Sequence, residues 1–378
     1  MIRTYKYRLS PTKKQIFLLS ALFDQMQTVY NDALNHRRHE WRQSRRSITY
    51  YDQWNRMREE RHKCPDEMGM LNATSIQQML RRVDKAYRAF YKGQRGAPRF
   101  KGRNRFKSVE YRYSDGCKLS GSNLYIQHIG NVRVKLHRPI PADATIKQVV
   151  IKRTAGYWYV SLQLEMPDPT PSQHDGPAVG IDVGLHSLLA LSNGTLIDNP
   201  RWLRQGLSKL RTAQRRLSRR KKFSSGWRKA ARQVGKLQEH VANQRRDFWH
   251  KTTTDLAKKY SLIAVEDLNL SFMTRSGNLS LSAHDASLGM FRQMIQYKVE
   301  NTGAEVVGVN PRNTSQTCSG CGVIVAKGLN VRVHHCPDCG VELDRDVNAA
   351  RNILALGLSV RALTYPVGDC VALEAPPL

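Results

Sequence analysis

Cys318-Ser-Gly-Cys321, then fourteen residues, then Cys336-Pro-Asp-Cys339, places two paired-cysteine knuckles in one short stretch. This spacing is that of a four-thiolate zinc ribbon, in which each C-x-x-C turns the chain so that both sulfurs face one metal. Gly322 and Gly340, directly after the knuckles, suit the tight backbone such a turn needs. Disulfides are the competing reading, and they belong to secreted chains. The expectation is one structural Zn²⁺ held by Cys318, Cys321, Cys336 and Cys339, with His334 and His335 as neighbours that could substitute in a mixed site. Asp344-Arg-Asp346 follows the second knuckle, and Val347, Ala350 and Leu354 then keep helical spacing. The metal module therefore delivers carboxylates to the start of a helix.

The rest of the chain must explain why carboxylates are wanted there. Its 378 residues are enough for two or three domains. Lys and Arg number 61 against 31 Asp and Glu, a net charge of +30 spread along the chain. That excess calls for a polyanionic partner, nucleic acid being the commonest. No stretch is apolar enough to span a bilayer and none reads as a signal peptide, so no membrane partner and a cytoplasmic location are expected. Cys64, Cys117 and Cys370 stand alone and read as reduced thiols.

In the amino-terminal half, Tyr5, Tyr7 and Leu9 alternate with Lys6 and Arg8, a strand pattern. Ser10-Pro11 reads as an N-cap and first helical residue. Ile16, Leu19, Phe23, Met26, Tyr30 and Ala33 form one helical stripe, and Ile76, Met79, Val83, Tyr87 and Phe90 a second. Between them 37–61 is polar and basic, either a solvated face or one turned to nucleic acid. Short strands are expected at 108–113, 123–129, 132–136, 145–153 and 157–166, with hairpin breaks at Asn131 and Gly156. With the first strand these would close a small barrel, the helices being an insertion after that strand. A Pro-, Ser- and Gln-rich linker follows at 167–177.

The carboxy-terminal half opens with Ala178-Val-Gly-Ile-Asp182-Val-Gly184, a buried strand carrying one acid. Strands at 187–191 and 195–198, joined by Ser192-Asn-Gly194, come next. This is how an RNase H-like nuclease begins. Leu262-Ile-Ala-Val-Glu266-Asp267 is a fourth strand ending in acids, and 304–309 a fifth. One acid at a strand end is usually a cap or a surface charge; three in topological order sharply weaken that reading. Carboxylates on central strands are costly unless paired with a cation. Oxygen ligands without histidine favour Mg²⁺ or Mn²⁺, which support phosphodiester hydrolysis. Between the third and fourth strands, Leu207, Leu210, Leu217 and Trp227, Ala231, Val234, Leu237, Val241 form the seam of a helical hairpin. Arg215, Arg216, Arg219, Arg220, Lys221 and Lys222 cluster at its tip, suited to tracking phosphates.

Taken together, these segments resemble TnpB, the transposon-encoded RNA-guided nuclease related to type V CRISPR effectors. The resemblance spans nearly the whole chain. It rests on Tyr7-Arg-Leu-Ser-Pro11, Pro98-Arg-Phe-Lys101, Gly180-Ile-Asp182-Val-Gly184, Asp247-Phe-Trp-His-Lys251, Val265-Glu266-Asp267-Leu-Asn269, Thr314-Ser-Gln-Thr-Cys318 and the segment 344–352. It implies an α/β multidomain chain. A wedge β-barrel (1–10 and 96–170) is interrupted by a helical recognition lobe (11–95), and a linker follows (171–177). A RuvC-like nuclease domain (178–313 and 344–360) carries a zinc-ribbon insertion (314–343), and 361–378 is a tail without a motif. Asp182, Glu266 and Asp346 then become the Mg²⁺-binding catalytic acids, Asp346 being chosen over Asp344 because it directly precedes Val-Asn-Ala. The implied partners are a guide RNA from the transposon end and target double-stranded DNA. The implied assembly is a monomeric ribonucleoprotein in a prokaryotic cytoplasm, nucleoid-associated on DNA. The protein would read only duplex shape and a short adjacent motif. The competing readings are a non-cleaving RNA-guided regulator and a transposase acting directly on transposon ends.

Overall fold

The computed structural model describes residues 1–64, 68, 71–102, 105–168, 174–268, 279–328 and 331–364. Part of the expected linker, Asn269, Cys370 and the tail from 365 onward lie outside the described residues. The chain divides into two compact units, Met1–Asp168 and Pro169–Leu378.

The first unit is built on β1 (Ile2–Ser10). Tyr5, Tyr7 and Leu9 turn into the core while Arg8 stays exposed, as period two requires. β1 joins six later strands: β2 (Ser108–Arg112), β3 (Cys117–Ser120), β4 (Asn123–Ile126), β5 (Gly130–Lys135), β6 (Thr145–Thr154) and β7 (Tyr157–Glu165). Their order is β2-β6-β7-β1-β5-β4-β3. Each neighbouring pair is antiparallel, with Leu9 opposite Trp158 on one side and Val134 on the other. The hairpin at Gly156 is present, with Ala155 and Gly156 both at positive φ. The expected break at Asn131 is not. Asn131 pairs with Tyr125 inside the ladder, and His128 and Gly130 take the positive φ values of the turn.

Among the described residues, three helices lie between β1 and β2: α1 (Lys13–Ser44), α2 (Tyr50–Lys63) and α3 (Ala73–Tyr91). The cap of α1 is Thr12 rather than Ser10. Ser10 is still paired in β1, and Thr12 with Gln15 forms a reciprocal capping box. Arg37, expected on a basic outer face, is buried and bonded to Gln53 (2.8 Å) and Asp84 (3.0 Å). It ties α1 to α2 and α3.

The second unit carries a five-stranded sheet of β8 (Ala178–Val183), β9 (Ser187–Leu191), β10 (Leu196–Asp198), β11 (Leu262–Glu266) and β12 (Glu305–Val309). The order is β10-β9-β8-β11-β12, with β8, β11 and β12 parallel and the first three strands antiparallel. Between β10 and β11 come α4 (Trp202–Ser218) and the 35-residue α5 (Ser225–Lys259), capped by Ser224. α6 (Ser280–Ala286) and α7 (Leu288–Thr302) precede β12. A small hairpin, β13 (Val333–His335) and β14 (Glu342–Asp344), leads directly into α8 (Arg345–Thr364).

The two faces of the sheet are covered differently. Val179, Ile181, Ile263 and Val265 pack with Trp249 of α5 and Phe291 and Ile295 of α7. Trp249 is fully buried, and its indole N–H donates to Ala286 O at 3.0 Å. Leu262, Ala264 and Val309 pack on the opposite face with Ile353 of α8. That second face is the one that matters for the acids.

Candidate functional site

Strand alternation decides where the acids point. Asp182 shares parity with Ala178 and Gly180 on β8, and Glu266 with Leu262 and Ala264 on β11. Both therefore face α8. The strands are parallel, with Val265 level with Ile181, so the next residues bring both carboxylates to the same carboxyl ends. α8 comes close to β8 because Gly180 has no side chain. A Cβ there would lie 2.0 Å from Ala350 O and 2.5 Å from Leu354 N. The first turn of α8 carries Asp346.

Asp344 and Asp346 have different work. The Asp344 carboxylate accepts from Asp346 N (2.8 Å) and Val347 N (3.2 Å), the bonds of an N-cap. Asp346 is free of that duty, and its Oδ1 lies 3.6 Å from Arg332 Nη1. Asp267 is likewise set apart from Glu266, being exposed and paired with Arg292 at 2.5 Å.

Both other acids act on Asp182, but the three carboxylates do not draw together as the cysteine sulfurs do: among the described residues only Cys318, Cys321, Cys336 and Cys339 converge closely enough to hold one metal ion. Burial, then the Glu266 and Asp346 charges, push the Asp182 carboxyl up to about 7. Burial raises Glu266, opposed by a hydrogen bond donated from the Thr314 hydroxyl. Burial and then Asp344 raise Asp346, opposed by Arg332, Arg345 and His186. Desolvated carboxylates, one of them repelled by the other two, are suited to holding a divalent ion. The donor set of three carboxylates and no histidine fits Mg²⁺ or Mn²⁺ better than zinc.

The cysteines form a second cluster. The ligand atoms of Cys318, Cys321, Cys336 and Cys339 all lie within 4.8 Å of one another. The Cys318–Cys339 and Cys321–Cys336 sulfurs are 3.6 and 3.5 Å apart, and all four are free thiols. Disulfides are thereby excluded, since bonded sulfurs lie about 2.05 Å apart. Tetrahedral zinc with Zn–S near 2.3 Å would set sulfurs about 3.8 Å apart, so the cluster fits such an ion. The two knuckles are built alike. Gly322 N donates to Cys318 O and Gly340 N to Cys336 O, each at 3.0 Å, and both glycines have positive φ. Neither histidine joins them: His334 is paired with Lys327 and His335 faces Glu342 at 3.9 Å.

Away from both clusters, Arg215, Arg216, Arg219, Arg220, Lys221 and Lys222 are all exposed around the α4–α5 turn. A groove of about 740 Å³ opens between these helices, lined by Lys209, Arg216, Arg220 and Lys229 and by none of the acids. No helix among the described residues is long and apolar enough to cross a membrane.

The OrfB family model described as "Probable transposase" matches residues 161–277, and a Cas12f1-like TNB domain model matches 289–353. A protein of Streptomyces pristinaespiralis named "Putative RNA-guided DNA endonuclease" is 35% identical over 95% of this chain and 90% of its own length. The chain belongs to the OrfB/TnpB family. An Escherichia coli K12 member of the same printed name, InsQ, is 33% identical over 76% of the chain and 75% of its own length. The solved Cas12f1–sgRNA–target DNA complex shares the fold, with a TM-score of 0.56 at 16% identity over 90% of this chain and 82% of that one. A model described as a helix-turn-helix domain also matches residues 1–46 of this TnpB-family chain. There the fold has one strand and a single unbroken helix to Ser44.

Sequence reasoning did not assign roles to Thr314, Arg332, Asn348 or Gly180. For Asn348 a signal existed: an asparagine set beside the apolar stripe of Val347, Ala350 and Leu354 needs partners, and here Asn348 is fully buried.

Proposed function

We propose that this TnpB-family chain is an RNA-guided DNA endonuclease that hydrolyses target DNA beside a short adjacent motif. Its guide would be an RNA from the transposon end, and it would act as a monomeric ribonucleoprotein. The observation that carries the reading is that Asp182 and Glu266 stand at the carboxyl ends of neighbouring parallel strands facing α8, whose first turn carries Asp346, and that both other acids act on Asp182. We read the second unit as RuvC-like, because its strand order of three antiparallel strands followed by two parallel ones suits an RNase H-like sheet. The seven-stranded sheet of the first unit, interrupted by α1–α3, is read as the wedge with its recognition lobe.

In this reading Asp182, Glu266 and Asp346 hold Mg²⁺ or Mn²⁺. Bound there, the ions supply Lewis-acid polarisation of the phosphodiester and a lowered pKa for the attacking water. Asp182 feels the charges of both other acids. Glu266 is oriented through one oxygen by Thr314. Asp344 holds the first turn of α8, and hence Asp346, in place. The four cysteines hold one structural zinc, which keeps a segment with little core of its own folded. The exposed basic tip of α4–α5 supplies phosphate contacts.

The test is cleavage of target DNA by purified complexes carrying Asp182→Ala, Glu266→Ala or Asp346→Ala. Each variant is expected to lose cleavage and to keep RNA binding. Asp344→Ala is expected to cleave but to lose about 1 kcal/mol of stability with its cap. Cleavage by Asp346→Ala together with loss in Asp344→Ala would mean that the wrong aspartate has been assigned. Uncleaved DNA with intact wild-type protein, RNA and Mg²⁺ would favour a non-cleaving regulator.

A further inference from the structure

The turn that follows β12 joins the two clusters. Thr314 is buried, and its Oγ1 donates to Glu266 Oε1, with Pro311 O (3.1 Å) as the second acceptor within reach. The backbone around it is gripped by α8. Asn352 Nδ2 donates to Thr314 O (2.9 Å) and Thr317 O (2.7 Å). Asn348 Nδ2 donates to Thr317 O (2.8 Å), while its Oδ1 accepts from Ser319 N (2.9 Å). Cys318, the first thiol of the cluster, lies between those two anchored residues. Two asparagines one helical turn apart thus clamp a turn that touches a catalytic-site acid at one end and the thiol cluster at the other.

A carboxylate has two oxygens and a freely rotating terminal bond. Fixing Oε1 by a hydroxyl that is itself immobile leaves Oε2 presented in one direction. We infer that Thr314 is a positioning residue that sets the Glu266 carboxylate for a divalent cation, and that Asn348 and Asn352 hold Thr314 there by clamping the turn against α8. The inference rests on the reading of Glu266 as a divalent-ion ligand. It gives the thiol cluster a second consequence: an ordered first knuckle fixes the far end of the same turn. Removing outer partners of metal ligands typically weakens binding about 10- to 100-fold.

The experiment compares Thr314→Val, which keeps shape and loses the hydroxyl, with Thr314→Ser, which keeps the hydroxyl. Two quantities are read on the full chain with its RNA: Mn²⁺ binding by electron paramagnetic resonance without DNA, and the Mg²⁺ dependence of cleavage. Thr314→Val is expected to bind Mn²⁺ about 10- to 100-fold more weakly and to need correspondingly more Mg²⁺. Thr314→Ser is expected to behave as wild type, and zinc content should be unchanged in both. If valine disturbs folding, Thr314→Ala carries the same comparison against serine. Wild-type ion dependence without the hydroxyl, or a serine variant as impaired as valine, overturns the inference. Asp182→Ala separates this from the underlying reading. Full cleavage by that variant overturns the nuclease site itself, whereas an inactive Asp182→Ala beside an unaltered Thr314→Val overturns only the role of Thr314.

Discussion

Asp182 is held where ionisation is expensive, and that has a measurable sign. Its folded-state pKa, about 7, lies above the unfolded value near 3.8. The folded chain therefore binds the proton more tightly, and stability falls as pH rises from about 4 to about 7. Without a divalent ion, Asp182→Asn should melt higher than wild type at pH 8, by an amount bounded near 4 kcal/mol at about 1.4 kcal/mol per pKa unit. The difference should shrink on acidification towards pH 4, and added Mg²⁺ should raise the melting temperature of wild type only. Thermal melts in chelator-free buffer without added divalent ions measure this. A variant that melts at or below wild type at pH 8 removes the claim that desolvation and repulsion dominate at Asp182. The same desolvation and repulsion let a site favour a cation over a proton at neutral pH.

At the scale of elements, the seating of α8 on β8 and β11 aligns the site. Gly180 lets the α8 backbone approach β8, and Gly357 lets it approach β11, where an added Cβ would lie 2.4 Å from Ala264 Cβ. Gly180→Ala leaves no flexible side chain to yield, so the helix itself must lift. The expected cost is about 3 kcal/mol of stability, the upper part of the range for overpacking. Because Asp346 rides on the first turn, cleavage should fall with it while RNA binding remains. Gly289→Ala in α7 is the matching control. It has open space around its Cβ, and alanine there should be neutral or stabilise by up to about 1 kcal/mol. Denaturant melts of the two variants decide the matter: equal stabilities would show that α8 is not held by close backbone contact. The strands of this element set were legible because each combines an apolar run with a turn signal. The full length of α1 was not, since beyond Leu34 the stripe gives way to Arg37, Arg38 and Trp41, and its buried Arg37 is satisfied by Gln53 and Asp84 of other helices.

For the whole molecule the dominant quantity is the charge of +30. Such a chain repels itself and takes up polyanions readily. Expression alone should give low yield or aggregation, and coexpression with the transposon-end transcript a soluble ribonucleoprotein. Salt dependence would follow for any RNA, because each neutralised phosphate releases about 0.7 to 0.9 counterions. Competition at fixed salt is the sharper measurement. Cognate RNA should resist a large excess of tRNA, since folded shape and single-stranded contacts add to the electrostatic attraction. Displacement by tRNA as easily as by cognate RNA itself would reduce the basic surface to a generic polyanion binder.

What the sequence determined by itself is whatever is encoded within a few residues. The C-x-x-C pairs with their following glycines, the alternation in β1, and acids closing the apolar runs of β8 and β11 are local patterns with local causes. The sequence also supplied the family, because its motifs are distributed along the whole chain. Only the tertiary structure decided which oxygen and which face each acid has. The sequence separates Asp344 from Asp346 only by the place of Asp346 before Val-Asn-Ala; the structure adds a physical difference, since the Asp344 carboxylate caps α8 whereas the Asp346 charge acts on Asp182. Thr314 reads as an ordinary turn residue until β11, 48 positions earlier, sets Glu266 against it. Gly180 reads as a strand glycine until α8, some 170 positions later, lies across it. These relations depend on residues brought together by packing over long sequence separations, and no periodicity of 2 or 3.6 residues carries that information.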